Sequence, residues 1–378
     1  MGDSARISIL TSAPSGDAVF TLYGHAAFRV SDLGNGIDYV FNYGIFDFDR
    51  PHFLYRFARG YTDYILGVTH YPSYLAEYRA RSSDVTEQFL NLNPLERQRI
   101  WHALSLNALP EHRTYRYNFF FDNCATRLPA LLERHIDGQI IYPLPPTNPT
   151  FRQMINRCTA RHPWLTFGCD LALGAPADRT ASPHEQMFLP QYLQQAIAGA
   201  AIRTAAGETR PLVLTENVIP CPSPAAPTAF REPVFSPLYV CWMIFGIALL
   251  VSLWEWRYRR RGKIFDTLLF LSAALGGSII FFLCFFSEHP AVRPNWSLLW
   301  LNPMYWISLC LLFVRRPWVR ICFAAIAGFL LLVLLAWNSI PQYLNPAFLP
   351  LLLSLCLRSL TPVIRKNTDH PPSHSGTT

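Results

Sequence analysis

Charged side chains are scarce in this sequence. Asp, Glu, Lys and Arg make up 15% of its 378 residues, whereas ordinary globular chains contain roughly 25%. The shortage is concentrated in residues 234–362, which consist mostly of Leu, Phe, Ile, Trp and Ala. Residues 1–232 carry charges, aromatic residues and turn signals in the manner of a soluble α+β protein. The chain is therefore not a single soluble domain, and its second half is predicted to lie in a membrane.

Metal-binding patterns are lacking as well. None of the nine cysteines belongs to a CxxC pair, and the histidines have no ligand spacing with carboxylates, so we expect no metal site and no cofactor. Cys158 and Cys169 are close enough in sequence to form a disulfide if the domain is extracytoplasmic, and two free thiols are equally consistent with the sequence. Most of the other cysteines lie in apolar runs, where a thiol behaves as a small hydrophobic group.

Two further absences concern partners and export. The net charge is +7, but many arginines flank apolar runs instead of forming a basic stripe on a soluble face, so no nucleic-acid partner is expected. No basic and apolar leader is recognisable in residues 1–10, which pass directly into a strand-like run. The sequence leaves open whether a signal peptide was removed.

The second half contains a series of apolar runs. There are five, at residues 234–254, 264–286, 297–314, 319–338 and 346–361. The second run is long enough to cross a hydrocarbon core of about 30 Å. The third and the fifth are shorter and include polar residues or proline, so the sequence does not fix their ends.

Basic residues orient these runs. They cluster after the first, third and fifth runs, in residues 257–263, 315–320 and 358–366, whereas the two other loops hold one Arg between them. Since Lys and Arg are enriched on the cytoplasmic side, all three clusters fall on one side of a five-span protein. The expected organisation is an extracytoplasmic domain at 1–232, a transmembrane domain at 233–362 and a disordered cytoplasmic tail at 363–378.

The loop between the second and third runs is polar for its position. It contains His289 and Asn295, and Asn302 follows inside the third run. Polar groups close to membrane depth are costly and often functional, so these residues are candidates for a functional site. An ordinary connector, in which the two asparagines cap helix ends, explains the same residues equally well.

The first half begins with a predicted β-hairpin. Residues 19–30 read as a strand, an approach to His25 and a further strand, residues 34–36 (GNG) give a turn signal, and residues 37–43 give the next strand. His25 is near the start of one hairpin strand and Asn42 near the end of the other. The ends of an antiparallel pair meet, so His25 and Asn42 are expected to face one another. An amide on one ring nitrogen would fix the imidazole tautomer and orient the other nitrogen.

A cysteine is predicted at the junction between a strand and a helix. Residues 93–106 begin with a capping box (NPLE) and predict a helix. Residues 115–120 then indicate a strand, and Asp122 or Asn123 can cap a helix that begins at Cys124. The N-terminus of a helix favours a thiolate, and a neighbouring His would do the same and act as base. A lone Cys is usually a core residue, but its combination with the His of the hairpin predicts cysteine chemistry.

Several motifs carry a resemblance to a known family. Residues 23–30 (YGHAAFRV), 40–44 (VFNYG) and 121–127 (FDNCATR), together with FLP at 188–190 and the polar loop around His289, resemble the Bacteroides-type lipoprotein N-acyltransferase family, Lnb. The resemblance covers nearly the whole chain, membrane half included, and the motifs occur in the same order.

The resemblance implies a fold and a reaction. The first domain of that family is similar to a permuted papain-like domain, in which the His precedes the Cys, as in lecithin:retinol acyltransferase and its relatives. We therefore expect a permuted papain-like α+β domain followed by an all-α transmembrane domain of about five helices. The implied enzyme moves an acyl chain from a membrane phospholipid, through a Cys thioester, to the α-amine of diacylglyceryl-cysteine on an apolipoprotein. It would lie in the bacterial inner membrane with its catalytic domain in the periplasm.

The implied site is assigned residue by residue. Cys124 would be the nucleophile and His25 the base, and Asn42 is our inference for the third catalytic group. The expected substrate-binding residues are Tyr23, Tyr43, Asp122, Asn123, Arg127, His289 and Asn295. Arg127, one turn into the helix, either meets a lipid phosphate or is an ordinary surface residue.

Two other functions remain open from the sequence. A membrane-anchored cysteine hydrolase, either a peptidase or a phospholipase, needs the same Cys and His but uses water. A non-enzymatic membrane scaffold or envelope sensor needs neither, and it predicts that Cys124→Ala leaves function intact.

Overall fold

The structure is a computed structural model that describes residues 1–46, 51–222, 233–259 and 262–364. It separates into two compact units. The first comprises Met1–Arg161, Arg179–Glu232 and Ser287–Pro290, and the second comprises His162–Asp178, Pro233–Phe286 and Ala291–Thr378. Apart from its first two residues, the predicted tail at 363–378 lies outside the described residues.

Ten β-strands lie in the described part of the first unit. In chain order they are β1 (Arg6–Ser12), β2 (His25–Asp32), β3 (Ile37–Ile45), β4 (Asp63–His70), β5 (Val85–Leu90), β6 (Thr114–Arg116), β7 (Gln139–Ile141), β8 (Ala201–Arg203), β9 (Thr209–Pro211) and β10 (Val213–Ile219). Seven strands form one antiparallel sheet in the order β10-β5-β1-β2-β3-β4-β6, and β7, β8 and β9 form a small second sheet.

Thirteen α-helices lie in the described residues. In chain order they are α1 (Phe53–Ala58), α2 (Tyr71–Ala80), α3 (Pro94–Asn107), α4 (Cys124–His135), α5 (Phe151–Thr159), α6 (Pro163–Ala172), α7 (Pro183–Gln186), α8 (Pro190–Ala198), α9 (Pro237–Tyr258), α10 (Ile264–Phe286), α11 (Tyr305–Leu311), α12 (Trp318–Leu335) and α13 (Phe348–Ile364). The second unit contains α6 and α9 to α13, and the first unit contains the others.

The seven-stranded sheet separates two apolar layers of the first unit. Alternate residues of a strand point to opposite faces, so Phe28 and Phe41 pack with α4 on one face, whereas Ala27 and Val40 pack with Tyr74 of α2 on the other. Complete burial of one such Phe side chain contributes about 1.5–3 kcal/mol. The central strands β2 and β3 are therefore held from both sides.

Two predicted helix starts are confirmed. The α3 helix begins with a capping box, because the Asn93 side chain accepts the Glu96 N–H and the Glu96 carboxylate accepts the Asn93 N–H. The α4 helix begins at Cys124, and its cap is Asn123 rather than Asp122.

Two local predictions are wrong, and local side-chain hydrogen bonds explain both. Residues Phe20–Tyr23 form a 3-10 turn instead of a strand, because the Thr21 hydroxyl accepts the Ala18 N–H and donates to the Ala18 carbonyl oxygen. The strand expected at 115–120 ends at Arg116, because the Asn118 side chain accepts the N–H groups of the next residues and closes a tight loop. Such bonds compete with the ladder of a sheet.

The second unit is helical and apolar, and the predicted fold class, an α+β domain followed by about five helices, is confirmed. Among the described residues, α9, α10 and α12 are long and apolar enough to cross a membrane, and α13 is shorter. The third apolar run is not one helix, contrary to expectation. It forms a 3-10 turn at Trp296–Leu299 and then the 7-residue α11. Asn302 and Pro303 interrupt it, and the Asn302 backbone lies against Gly277 of α10, where a Cβ would come within 2.4 Å of the Asn302 carbonyl carbon.

A buried charge cluster joins three helices of the second unit. The sequence predicts Arg358 among the basic residues that follow the fifth apolar run, and this is wrong. The α13 helix continues beyond Arg358, and the side chain is fully buried. Its Nε donates to Asp266 (2.5 Å), its Nη1 to Ser252 (2.8 Å) and its Nη2 to Glu255 (2.9 Å). These acceptors replace the water that a buried guanidinium loses.

Candidate active site

His25 is placed at the first residue of β2 by the glycine before it. Gly24 has φ +73°, and a Cβ there would lie 2.7 Å from the carbonyl oxygen of Ser12. Ser12 is also the residue that pairs with His25 across the β1–β2 ladder. Only glycine tolerates both the positive φ and the close approach, so Gly24 fixes where His25 enters the sheet.

The predicted contact between His25 and Asn42 is present. The ladder pairs Phe28 with Phe41, which brings the start of β2 beside the end of β3. The Oδ1 atom of Asn42 lies within hydrogen-bond distance of His25 Nε2. Because an amide oxygen only accepts, Nε2 carries the proton in the neutral ring, and Nδ1 is left as the acceptor.

Cys124 occupies the first position of α4, and its side chain is 8% exposed. The α4 helix packs against β2 and β3, so its N-terminus reaches the end of the sheet that carries His25. The thiol lies close enough to the His25 imidazole and to the backbone N–H groups of Ala26 and Ala125 for all three to stabilise its thiolate form. The structure thus brings a thiol, an imidazole and an amide into one chain of contacts.

Electrostatics favour the ionised form of this pair. Burial disfavours the Cys124 thiolate, but the charge and hydrogen bond of His25 and the two backbone N–H groups outweigh it, so the pKa of Cys124 is lowered. Burial also disfavours the imidazolium, but the charge and hydrogen bonds of Cys124 and Asn42 outweigh it, so the pKa of His25 is raised. The arrangement stabilises a thiolate beside an imidazolium.

A small notch lies next to Cys124, at Gly44. This residue has φ +96° and sits at an irregularity of the β3–β4 ladder. A Cβ at Gly44 would meet Tyr117 Cε2 at 3.5 Å, Cys124 Cβ at 3.8 Å and the Tyr115 hydroxyl at 3.9 Å. The missing side chain therefore leaves room for about one atom group beside the thiol. Sequence reasoning placed Gly44 in a motif but gave it no role, although a glycine inside a strand pattern signals a close approach.

Aromatic side chains form a cluster on the segments that precede His25 and Cys124 in the chain. Tyr23 meets Phe119 edge to face with ring centroids 5.1 Å apart, and Phe119 contacts Phe120 and Phe188. Phe121 is 52% exposed. These apolar surfaces suit an alkyl chain better than a charged peptide. Tyr23, a predicted substrate-binding residue, lies in this group.

Three other predicted residues build the scaffold. The Asn123 side chain accepts the Ala125 and Thr126 N–H groups and donates to the carbonyl oxygens of Phe119 and Phe188, so its whole amide is occupied. Asp122 forms a two-point ion pair with Arg127, at 2.6 and 2.8 Å. The geometry gives Arg127 a carboxylate partner within the protein, and its contact with a lipid phosphate stays a prediction.

Tyr43 points away from Asn42 because neighbouring strand residues face opposite sides of a sheet. It is 2% exposed, and its hydroxyl accepts a hydrogen bond from Asn107 Nδ2 at 2.9 Å. Burial, which outweighs the Asn107 hydrogen bond, raises the pKa of Tyr43. Substrate binding by Tyr43 stays a prediction.

His289 is not brought to Cys124 by any contact among the described residues, and Asn295 belongs to the second unit. The Nε2–H of His289 donates to the carbonyl oxygen of Phe57 at 2.6 Å, and burial lowers the pKa of His289 despite that bond. Asn295 accepts the Ser297 N–H and donates to the carbonyl oxygen of Leu171. These contacts match the connector with a capping asparagine, and substrate binding by either residue stays a prediction.

Metal ligands are not grouped in the described part of the chain, where no three His, Cys, Asp or Glu side chains are placed to hold an ion. Cys158 and Cys169 are not joined in a disulfide.

Two family models match the chain. The model described as the Lnb N-terminal periplasmic domain matches residues 2–157, and the model described as the Lnb transmembrane domain matches residues 229–369. No curated protein and no solved structure gives a significant match. The matches include both the hairpin with His25 and the helix that begins at Cys124.

Proposed function

Since two models of one family cover both halves of the chain, it belongs to the Lnb family, and we propose that it is a lipoprotein N-acyltransferase in which Cys124 carries the acyl chain as a thioester. The observation that carries this proposal is the chain of contacts from Cys124 through His25 to Asn42 at a helix N-terminus. The acyl donor would be a membrane phospholipid and the acceptor a diacylated apolipoprotein.

The first half-reaction loads the cysteine. The Cys124 thiolate attacks the ester carbonyl carbon, and the C=O electron pair moves onto the carbonyl oxygen. The intermediate then collapses, the bond to the glycerol oxygen breaks, and that oxygen takes the proton of the His25 imidazolium. The products are a thioester on Cys124 and a lysophospholipid.

The second half-reaction unloads it. The α-amine of the acceptor attacks the thioester carbon, His25 Nδ1 removes a proton from the amine, and the Cys124 thiolate leaves. Asn42 holds Nε2 throughout, so that Nδ1 stays directed at the reacting atoms. An amide is formed, and the thiolate–imidazolium pair is restored.

We extend the proposal to the location of the chain. The exposed Arg315 and Arg316 follow α11, which supports a cytoplasmic position for that loop. The first domain, residues 1–232, would then lie in the periplasm of a protein anchored in the inner membrane, where both lipid substrates are within reach. Labelling of single surface cysteines in intact cells tests this, since residues of the first domain should react before permeabilisation and residue 315 only afterwards.

The acyl-enzyme is the species to detect. Purified full-length protein is incubated with phospholipid that carries a labelled acyl chain, and the intact mass is measured before and after addition of a diacylated lipopeptide. Wild type should gain one acyl group on Cys124 and pass it to the peptide amine, whereas Cys124→Ser should gain none. Cys158→Ser is the matched control, because burial raises the pKa of Cys158 to about 11 and its thiol should not compete.

Each alternative has its own result. Label that leaves the enzyme only as free fatty acid, with or without the lipopeptide, identifies a hydrolase. Absence of an acyl-enzyme, together with unchanged function of Cys124→Ser in cells, would favour a scaffold or sensor and would overturn the proposed reaction.

A further inference from the structure

The hydroxyl group of Tyr115 is buried without a hydrogen-bond partner among the described residues. A buried polar group in this condition costs about 1–3 kcal/mol, so its retention calls for an explanation. Tyr115 lies on β6, opposite Tyr64 of β4. Its oxygen is 3.9 Å from the position that a Cβ of Gly44 would occupy, and Cys124 Cβ is 3.8 Å from the same position. The orphaned hydroxyl thus borders the notch beside the thiol.

The ring of Tyr115 is held firmly in this orientation. The guanidinium of Arg127 lies over it, 3.5 Å from the ring centroid, and Asp122 fixes that guanidinium with two hydrogen bonds. The Tyr43 ring meets it edge to face at 6.0 Å. Burial, which outweighs the attraction of Arg127, holds the pKa of Tyr115 well above its usual range. The phenol therefore stays neutral and keeps a proton to donate.

We propose that the Tyr115 hydroxyl is an oxyanion donor, which acts together with the Cys124 N–H on the tetrahedral intermediates formed at Cys124. This rests on the proposed function. When the thiolate attacks the ester, the carbonyl electron pair moves onto oxygen, and that oxygen enters the Gly44 notch and accepts the Tyr115 O–H and the Cys124 N–H. When the intermediate collapses, the pair returns to form the thioester carbonyl and the hydroxyl keeps its proton.

Most of the donors at the start of α4 are already engaged. The Asn123 side chain takes the N–H groups of Ala125 and Thr126, and its carbonyl oxygen takes that of Arg127. Asn123, the cap residue, thus accepts the other N–H groups at the start of α4 but not the N–H of Cys124. The Asn123 amide donates elsewhere, so it cannot supply a second bond. A second donor beside the notch is therefore available from β6, through Tyr115.

The test separates acylation from simple thiol reactivity. Tyr115→Phe is prepared in the full-length protein, and two rates are measured: single-turnover acylation of Cys124 by labelled phospholipid, and alkylation of Cys124 by iodoacetamide across pH. Loss of one oxyanion donor should slow acylation by about 10²–10³-fold. Alkylation has no oxyanion, so its rate and pH profile should not change. Tyr142→Phe is the matched control, since it removes a phenol hydroxyl that donates to Glu133 outside the site, and it should keep acylation within about threefold.

Two results would overturn the inference. An acylation rate of Tyr115→Phe within about threefold of wild type would show that the hydroxyl is not an oxyanion donor. The proposed function would still stand in that case, because wild type would still form the thioester. A parallel fall of alkylation and acylation would assign the hydroxyl a structural role. If wild type forms no acyl-enzyme at all, the proposed function fails first and the inference fails with it.

Discussion

The replacement of Gly24 by Ala tests whether the sheet geometry sets the position of His25. The new Cβ would lie 2.7 Å from the Ser12 carbonyl oxygen, whereas ordinary carbon–oxygen contacts are about 3.3–3.6 Å. One of the two strands must therefore move by more than about half an ångström at the point where His25 begins. Displacements of about 1 Å in a catalytic group cost about 10²-fold in rate, so we expect acylation of Gly24→Ala to fall by tenfold or more.

Backbone strain has to be separated from this displacement, and Gly36 provides the control. Gly24 has φ +73° and ψ −171°, a region that is almost exclusive to glycine and costs other residues about 1–3 kcal/mol. Gly36 has φ +69° and ψ 20°, with open space around its Cβ position, and an alanine there costs about 1–2 kcal/mol. Gly36→Ala should therefore lower the melting temperature but keep the acylation rate of wild type.

The assay compares three proteins, wild type and the two alanine variants, in the same detergent. Single-turnover acylation from labelled phospholipid gives the rate, and thermal melting gives the stability. If Gly24→Ala melts lower but acylates within threefold of wild type, Gly24 does not fix the position of His25 and the reasoning is refuted. An equal loss of rate in Gly36→Ala would refute it as well, since strain alone would then account for the effect.

Three further changes probe other parts of the molecule. Cys124 should be alkylated by iodoacetamide at pH values below the ordinary thiol pKa of about 8.5, because its own pKa is lowered. The rate of alkylation should fall as acid protonates the thiolate. In His25→Gln the rise should move to higher pH, and a profile that coincides with wild type would contradict the pairing. Arg358→Met should leave buried carboxylates unpaired and destabilise the fold by about 3–5 kcal/mol; unchanged melting would contradict the cluster. Arg127→Gln should add little to the acylation defect of Tyr115→Phe if the guanidinium acts through that ring, and additive losses would exclude this.

The parts of the site that depend on local rules could be predicted from the sequence. The capped start of α4 follows from Asn123 before Cys124, and the register of a hairpin closed at residues 34–36 places His25 beside Asn42. Both depend on residues close together in the chain. The apolar runs identified the helical half for the same reason, since hydropathy is a local property.

The parts that depend on tertiary packing could not be predicted. Tyr115 carries no sequence signal for its orphaned hydroxyl, because the notch beside it arises where Gly44 and Cys124 meet from distant parts of the chain. Arg358 was counted as a basic flank because its partners, Glu255 and Asp266, lie on other helices. The break in the third apolar run likewise depends on a distant residue, because the Asn302 backbone packs directly against Gly277.

The contacts of Cys124 and His25 do not by themselves separate an acyltransferase from a hydrolase, because a thioester reacts with water as well as with an amine. The surroundings of the thiol bear on this choice. Cys124 is 8% exposed, and the ring of Phe119 lies against Tyr23, two residues before His25. We propose that these apolar groups limit the water that reaches a bound thioester and thereby favour attack by an incoming amine.

Exclusion of water by these rings predicts how the acyl chain divides between water and the acceptor amine. Phe119→Ala should open the wall and raise the yield of free fatty acid relative to acylated lipopeptide, while Cys124 still becomes acylated. The measured quantity is the ratio of the two products from one labelled acyl-enzyme, which does not change when part of the protein is lost to unfolding. Leu106→Ala, a change at an exposed position of α3, is the control and should keep the wild-type ratio. An unchanged ratio in Phe119→Ala would mean that this wall does not exclude water, and the preference for the amine would then have to come from the binding of the acceptor itself.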